Sequence, residues 1–114
     1  MKKISKEQLR QWIESQKPSL HVIDVLSPSD YRSYHLPTAV NCPIADQFEK
    51  NIKEAFPNTN DTIVVYCSNA QCKASPRAAD ILDRLGYVHV YHFEGGKEEW
   101  RQANFPIVSE GAVA

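Results

Sequence analysis

No stretch of this sequence approaches the ~20 consecutive apolar residues that a membrane-spanning helix needs, so no membrane role is expected. Lysine and arginine are scattered along the chain and the formal net charge is −1. A nucleic-acid partner would require a concentrated basic face, and none is present. The opening residues MKKISKEQLRQW turn polar at once and lack the apolar core of a signal peptide, which points to a cytoplasmic protein. Cysteines number three, an odd count without an export signal. That argues against a disulfide framework and leaves free thiols, at least one of them a candidate for reactivity. Cys67 and Cys72 do not have the short spacing of a zinc site and no second paired motif exists, so no metal is expected. Internal repeats and low-complexity tracts are also missing.

What remains is the composition of an ordinary globular protein: 114 residues, 42% hydrophobic, 24% charged and 10% aromatic. This length suits one domain with one core, spanning residues 1–114, with Ser109 to Ala114 expected to fray.

The segment from Thr62 to Leu85 organises the chain. The β-branched run Ile63-Val64-Val65-Tyr66 predicts a buried strand. Ala78, Ile81, Leu82 and Leu85 fall at the spacing of one helical face. Between strand and helix lies a polar loop framed by Cys67 and Cys72. Ligand sites of open α/β sheets form outside such strand ends. The following helix turns its free N–H groups and positive dipole end toward the loop. A thiol held there is expected to ionise more easily than a free one, and the thiolate is the nucleophile. Cys67 is therefore the candidate nucleophile, with a buried, inert cysteine as the plain alternative.

The rest of the chain alternates strand and helix. Ser5 to Gln8 has the form of a capping box ahead of an apolar stripe of Leu9, Trp12 and Ile13. Leu20 to Leu26 reads as a buried strand interrupted by Asp24, whose carboxylate needs partners there. Ser27, Pro28 and Asp30 make a strong start for a short helix that Leu36-Pro37 stops. Ala39 to Pro43 is a brief extended piece. Ile44, Phe48 and Ile52 predict a further helix, closed by Pro57 and the turn residues Asn58 to Asp61. Gly86 occupies a helix C′ position. Tyr87 to Phe93 reads as another strand, Gly95-Gly96 as a tight break, and Lys97 to Ala103 as a last helix before the extended Pro106 to Val108. Alternation of this kind predicts a mainly parallel sheet with right-handed crossovers and helices on both faces.

With those residues in place, the chain resembles the single-domain rhodaneses, a sulfurtransferase family. Val22 to Ile44, VIDVLSPSDYRSYHLPTAVNCPI, is similar to the family's D-V-R…E-Y…G-H-I-P-G-A-x-N stretch. VVYCSNAQCKASPRAADILDRLGY resembles its cysteine loop and following helix, and VYHFEGGKEEWRQANFPIV its closing G-G-x-x-x-W…P-V segment. Leu26, Tyr34 and Thr38 depart from the usual Arg, Gly and Gly. Cys72 stands five residues after Cys67, where many members have Arg, and Asn69-Ala70-Gln71 replace the common loop glycine. The resemblance implies a rhodanese-like three-layer α/β/α domain around a mainly parallel sheet of about five strands. It also implies a sulfurtransferase without a cofactor. Sulfane sulfur would pass from thiosulfate, polysulfide or a protein persulfide, through a Cys67 persulfide, to a thiol or to cyanide.

Such a loop holds the negative sulfur with backbone N–H groups fixed in advance, as an oxyanion hole holds oxygen. Ser68, Asn69, Ala70, Gln71, Cys72 and Lys73 are thus the candidate substrate-binding residues. Cys72 has three open readings: a resolving thiol, a loop lining or an inert packed residue. Lys73 is either the charge that assists the thiol or a solvated lysine. Ser75 before Pro76 is most simply an N-cap, with its hydroxyl alternatively facing the pocket. Arg77 either reaches the site or lies on the surface. Asp24 and His35 are expected to be structural, and strand alternation accounts for His21, His89 and His92. Two other functions fit parts of the pattern. Phosphatase or arsenate-reductase chemistry wants Arg where Lys73 stands and so loses the bidentate guanidinium grip. A non-catalytic redox sensor or persulfide-binding module would use Cys67 and Cys72 together.

Overall fold

The apolar runs become strands, and one strand without an apolar run joins them. The computed structural model describes residues 1–110. In chain order the elements are β1 (Lys2–Lys3), α1 (Lys6–Glu14), β2 (Leu20–Asp24), α2 (Pro28–Ser33), β3 (Val40–Asn41), α3 (Phe48–Ala55), β4 (Thr62–Tyr66), α4 (Ala74–Arg84), β5 (His89–His92) and α5 (Gly96–Gln102). The five strands form one sheet in the order β1-β5-β4-β2-β3, every neighbouring pair parallel. β4 is central, running from Leu20↔Thr62 to Asp24↔Tyr66 against β2 and from Thr62↔His89 to Val65↔His92 against β5.

Side-chain alternation divides the strands between two helical layers. Ile23, Val25, Ile63, Val65 and Cys67 face α3 and α4, against Phe48, Ile52, Ala78, Ala79 and Leu82. Val22, Val64 and Tyr66 face α1 and α5, against Leu9 and Trp100. The expected three-layer α/β/α arrangement is the one observed. Each fully buried Val, Ile or Leu in these layers contributes ~1.5–3 kcal/mol. No helix among the described residues is long and apolar enough to cross a membrane.

Several local expectations change. β2 ends at Asp24 rather than Leu26, because the Leu26 N–H donates to Asp24 Oδ1 at 2.9 Å and folds the chain into a turn. Ile44 precedes α3; its N–H donates to the Val25 carbonyl at 3.1 Å and its side chain packs on the core. Only half of the capping box forms: Ser5 Oγ accepts from the Gln8 N–H at 3.1 Å, while the Gln8 amide bonds Gln11. Ser27 caps α2 as read, accepting the Asp30 N–H at 3.3 Å. Gly86 follows α4 with φ +96°, as a C′ glycine does. Ser109 and Glu110 are held, not frayed: Ser109 Oγ donates to the Ser33 carbonyl and the Glu110 N–H to the Arg32 carbonyl, each at 2.9 Å. Residues 111–114 of that expected tail lie outside the described residues.

Candidate active site

Cys67 is the first residue past β4, at the carboxyl end of the sheet. Its carbonyl accepts the Lys97 N–H at 3.0 Å, and the Ser68 carbonyl accepts the Glu98 N–H at 3.0 Å. The start of α5 thereby clamps the cysteine's own peptide. Gly96, with φ +68°, makes this approach possible: a Cβ there would lie 2.6 Å from the Cys67 carbonyl oxygen. The loop is shaped from within by Asn69, whose Oδ1 accepts the Gln71 N–H at 3.0 Å and whose carbonyl accepts the Cys72 N–H at 3.2 Å. Asn69 Nδ2 also donates to the Glu98 carboxylate, a second tie to α5.

Ser68 to Lys73, the six positions predicted to bind substrate, make up the loop between β4 and α4, and their exposure differs. Ala70, Gln71 and Lys73 are exposed, while Ser68, Asn69 and Cys72 are half-buried. Cys67 is only 1% exposed and packs in the α3–α4 core. Its thiol is therefore pushed up, not down: burial raises it most and the neighbouring Cys72 raises it further, against the lowering effect of the Ser75 hydroxyl and amide. The expectation of an easily ionised Cys67 is reversed. For Cys72 burial acts upward but is outweighed by the Cys67 thiol, the Ala74 and Ser68 amides and the Ser68 hydroxyl, so that this thiol is lowered. The amide assistance anticipated for Cys67 comes to it from Ser75, whereas Ser68 and Ala74 assist Cys72.

Ser75 is not the N-cap. α4 starts at Ala74, with Lys73 as its N-cap and no side-chain capping bond. Pro76 falls within the first turn, where a missing N–H costs no intrahelical bond. Ser75 instead lies one residue inside the helix, 1% exposed, with Oγ 3.2 Å from Cys67 Sγ and 2.8 Å from His92 Nε2. His92, read as an ordinary strand residue, is therefore in contact with the site through Ser75. Burial holds its imidazole below the usual histidine range; Glu94 opposes this and Lys3 adds to it. Arg77 is exposed and borders a cleft with Ile44, Ala45 and Phe48. Lys73 is also exposed.

Asp24 and Lys97 are two buried charged groups beyond the loop. Lys97, 6% exposed, donates from Nζ to the Asp30 carbonyl at 2.7 Å and the Tyr34 carbonyl at 3.0 Å, and lies over the Tyr34 ring. Burial lowers this ammonium and raises the Asp24 carboxyl, and each charge partly offsets the other's shift. Asp24 braces the turn at Leu26 as expected, but its Oδ2 has no partner among the described residues. His35 packs a turn as expected, with Nδ1 2.8 Å from the Tyr31 carbonyl and its ring stacked on Tyr31.

The sequence profile described as Rhodanese, Rhodanese-like domain, matches residues 5–103. The chain belongs to the rhodanese-like family. Within the family it is 38% identical over 78 residues to thiosulfate sulfurtransferase PspE of Escherichia coli, covering 68% of this chain and 72% of that one. It is 30% identical over 88 residues to thiosulfate sulfurtransferase GlpE of Tolumonas auensis, covering 75% and 76% of the two chains. The BH2092 protein from Bacillus halodurans shares the rhodanese-like fold with a TM-score of 0.84 at 24% identity, over 96% of this chain and 77% of its own. Two features of the site were legible only in part. Gly96 sits in the G-G-x-x-x-W pattern, which signalled a break without its contact on Cys67. Ser75 and His92 are 17 residues apart, and no spacing rule joins them.

Proposed function

We propose that this rhodanese-like protein is a sulfurtransferase in which Cys67 carries sulfane sulfur as a persulfide. The observation that carries the reading is the setting of Cys67: past the end of β4, its carbonyl clamped by the Lys97 amide, its sulfur against the first turn of α4. Two relatives named thiosulfate sulfurtransferase support thiosulfate as one donor; polysulfide or a protein persulfide offers the same sulfane sulfur. A small thiol, or cyanide in the test tube, is the acceptor. In this reading the donor approaches on the side of Cys72, the less buried cysteine of the pair, over Ser68, Asn69, Ala70, Gln71 and Lys73. The free thiols suit a reducing, cytoplasmic setting. A thiosulfate:cyanide assay tests the reading: Cys67→Ser is expected to fall to the uncatalysed background, and turnover equal to wild type overturns it.

A second reading has its own support, the opposed shifts of the two adjacent thiols. In it the Cys72 thiolate attacks the inner sulfur of the Cys67 persulfide, a Cys67–Cys72 disulfide forms and hydrosulfide leaves. Thiol titration separates the two. A fall from the three free thiols to Cys42 alone after donor treatment supports the disulfide, whereas no disulfide at any stage rejects it.

A further inference from the structure

A buried thiol raised above its usual range is a poor nucleophile until something takes its proton. In the loop, Cys72 is the ionisable side chain beside Cys67. The opposite wall adds an imidazole, reached through a serine.

We propose that Ser75 and His92 form a proton relay that draws the thiol proton from Cys67 as the sulfur donor binds, with Ser75 touching the reacting sulfur and His92 acting through it. This inference rests on Cys67 being the sulfur carrier. The three groups come from the end of β4, the first turn of α4 and the end of β5, and all are buried. A serine hydroxyl in a helix ordinarily bonds nearby backbone or water. Ser75 Oγ instead lies between two side-chain atoms, Cys67 Sγ at 3.2 Å and His92 Nε2 at 2.8 Å.

The same three atoms accommodate both protonation states without moving. In the resting state Cys67 S–H donates to Ser75 Oγ, and the Ser75 O–H donates to a neutral His92 Nε2. Burial favours neutrality at both ends, raising the thiol and lowering the imidazole. On transfer Ser75 takes the thiol proton and passes its own to Nε2, leaving thiolate and imidazolium. Every donor now points the other way: Nε2–H to Oγ, and O–H to the thiolate. The thiolate electron pair then forms a bond to the outer sulfur of thiosulfate. The bond from that sulfur to the sulfonate breaks, and sulfite departs with its electron pair. Cys67 is left as a persulfide anion, with Ser75 between it and the His92 imidazolium. The other charged groups acting on the relay are Lys3 on β1 and Glu94 after β5, which form an exposed ion pair at 2.7 Å. Cys72 acts at its thiol end.

The test uses His92→Gln, Ser75→Ala and Ser75→Thr, each checked for folding by thermal unfolding. Two rates are followed against pH: persulfide formation from thiosulfate, and alkylation of Cys67 assigned by peptide mass spectrometry. Near neutral pH, His92→Gln and Ser75→Ala are expected to slow both rates about 10²-fold, the usual scale of general-base assistance. The loss should shrink about tenfold per pH unit as the solution ionises Cys67 unaided. Ser75→Thr, which keeps the hydroxyl, should restore most of the rate. A loss independent of pH, or none, overturns the relay. If Ser75→Thr fails to fold, His92→Gln and Ser75→Ala still decide, because a relay requires both to lose rate with the same pH dependence. Alkylation does not depend on sulfur transfer. A pH-dependent alkylation loss without any loading from thiosulfate or polysulfide would leave the relay standing and remove the sulfurtransferase reading.

Discussion

Replacing Gly96 with alanine should harm the protein in two separable ways. The first is conformational: φ +68° is a backbone region that costs an L-residue ~1–2 kcal/mol. The second is steric. The new Cβ would stand 2.6 Å from both the Cys67 carbonyl oxygen and the Ser68 carbonyl carbon, and backbone cannot swing aside as a side-chain tip can. Overpacking of this kind costs ~1–3 kcal/mol. Gly86 provides the control, since its φ is +96° but a Cβ there meets nothing within 4 Å. Gly86→Ala should lose only the conformational part, ~1–2 kcal/mol. Urea unfolding of both variants isolates the contact with the cysteine loop as the difference, ~1–3 kcal/mol. That difference corresponds to a further drop in Tm of about 4 °C or more. Gly96→Ala should also weaken the bond from the Lys97 N–H to the Cys67 carbonyl and slow sulfur loading; Gly86→Ala should not. Equal destabilisation by the two changes would refute the claim that α5 clamps the loop through Gly96.

Lys97→Met keeps the apolar stem but removes the ammonium that serves the Asp30 and Tyr34 carbonyls; a loss of ~2–3 kcal/mol is expected in urea unfolding, and an unchanged midpoint would contradict the assigned role. Removing this charge should also raise the Asp24 carboxyl further, since Lys97 is one of the groups holding it down. His92 predicts a pH dependence of stability. Its folded pKa is depressed, so as pH falls below about 6.5 the unfolded chain takes up a proton that native His92 resists, and stability falls. This contribution is intact above the unfolded value and is lost as pH drops through the folded one. Urea midpoints against pH should therefore slope less for His92→Gln than for wild type, and parallel curves would count against a buried neutral imidazole.

The sheet was readable because its central strands are continuous apolar runs, buried on both faces. All of Thr62–Tyr66 is buried, as a strand between two helical layers must be. β1 was not readable: Lys2 and Lys3 carry no apolar signal, and backbone pairing with Tyr91 and His92 makes the strand. The candidate nucleophile was legible from a cysteine at a strand end before a helix. Its protonation was not, because the lowering expected from a helix N-terminus depends on where the sulfur sits relative to the core. At 1% exposure burial outweighs the Ser75 hydroxyl and amide at Cys67, whereas the half-buried Cys72 is lowered. Ser75 shows how a local rule misleads: a serine before proline looks like a cap, but α4 begins at Ala74, and the hydroxyl turns inward. Alternation set His92 on the same face as the buried Val90, toward α4, yet no local pattern says which α4 side chain it meets.

The central claim is that Cys67 holds the transferred sulfur. Peptide-resolved mass spectrometry of the protein after thiosulfate treatment, with free thiols blocked afterwards, measures this directly. One added sulfur on the Cys67 peptide, discharged by cyanide, is the predicted result. An adduct confined to Cys72, or no adduct while Cys67 remains reduced, would contradict it.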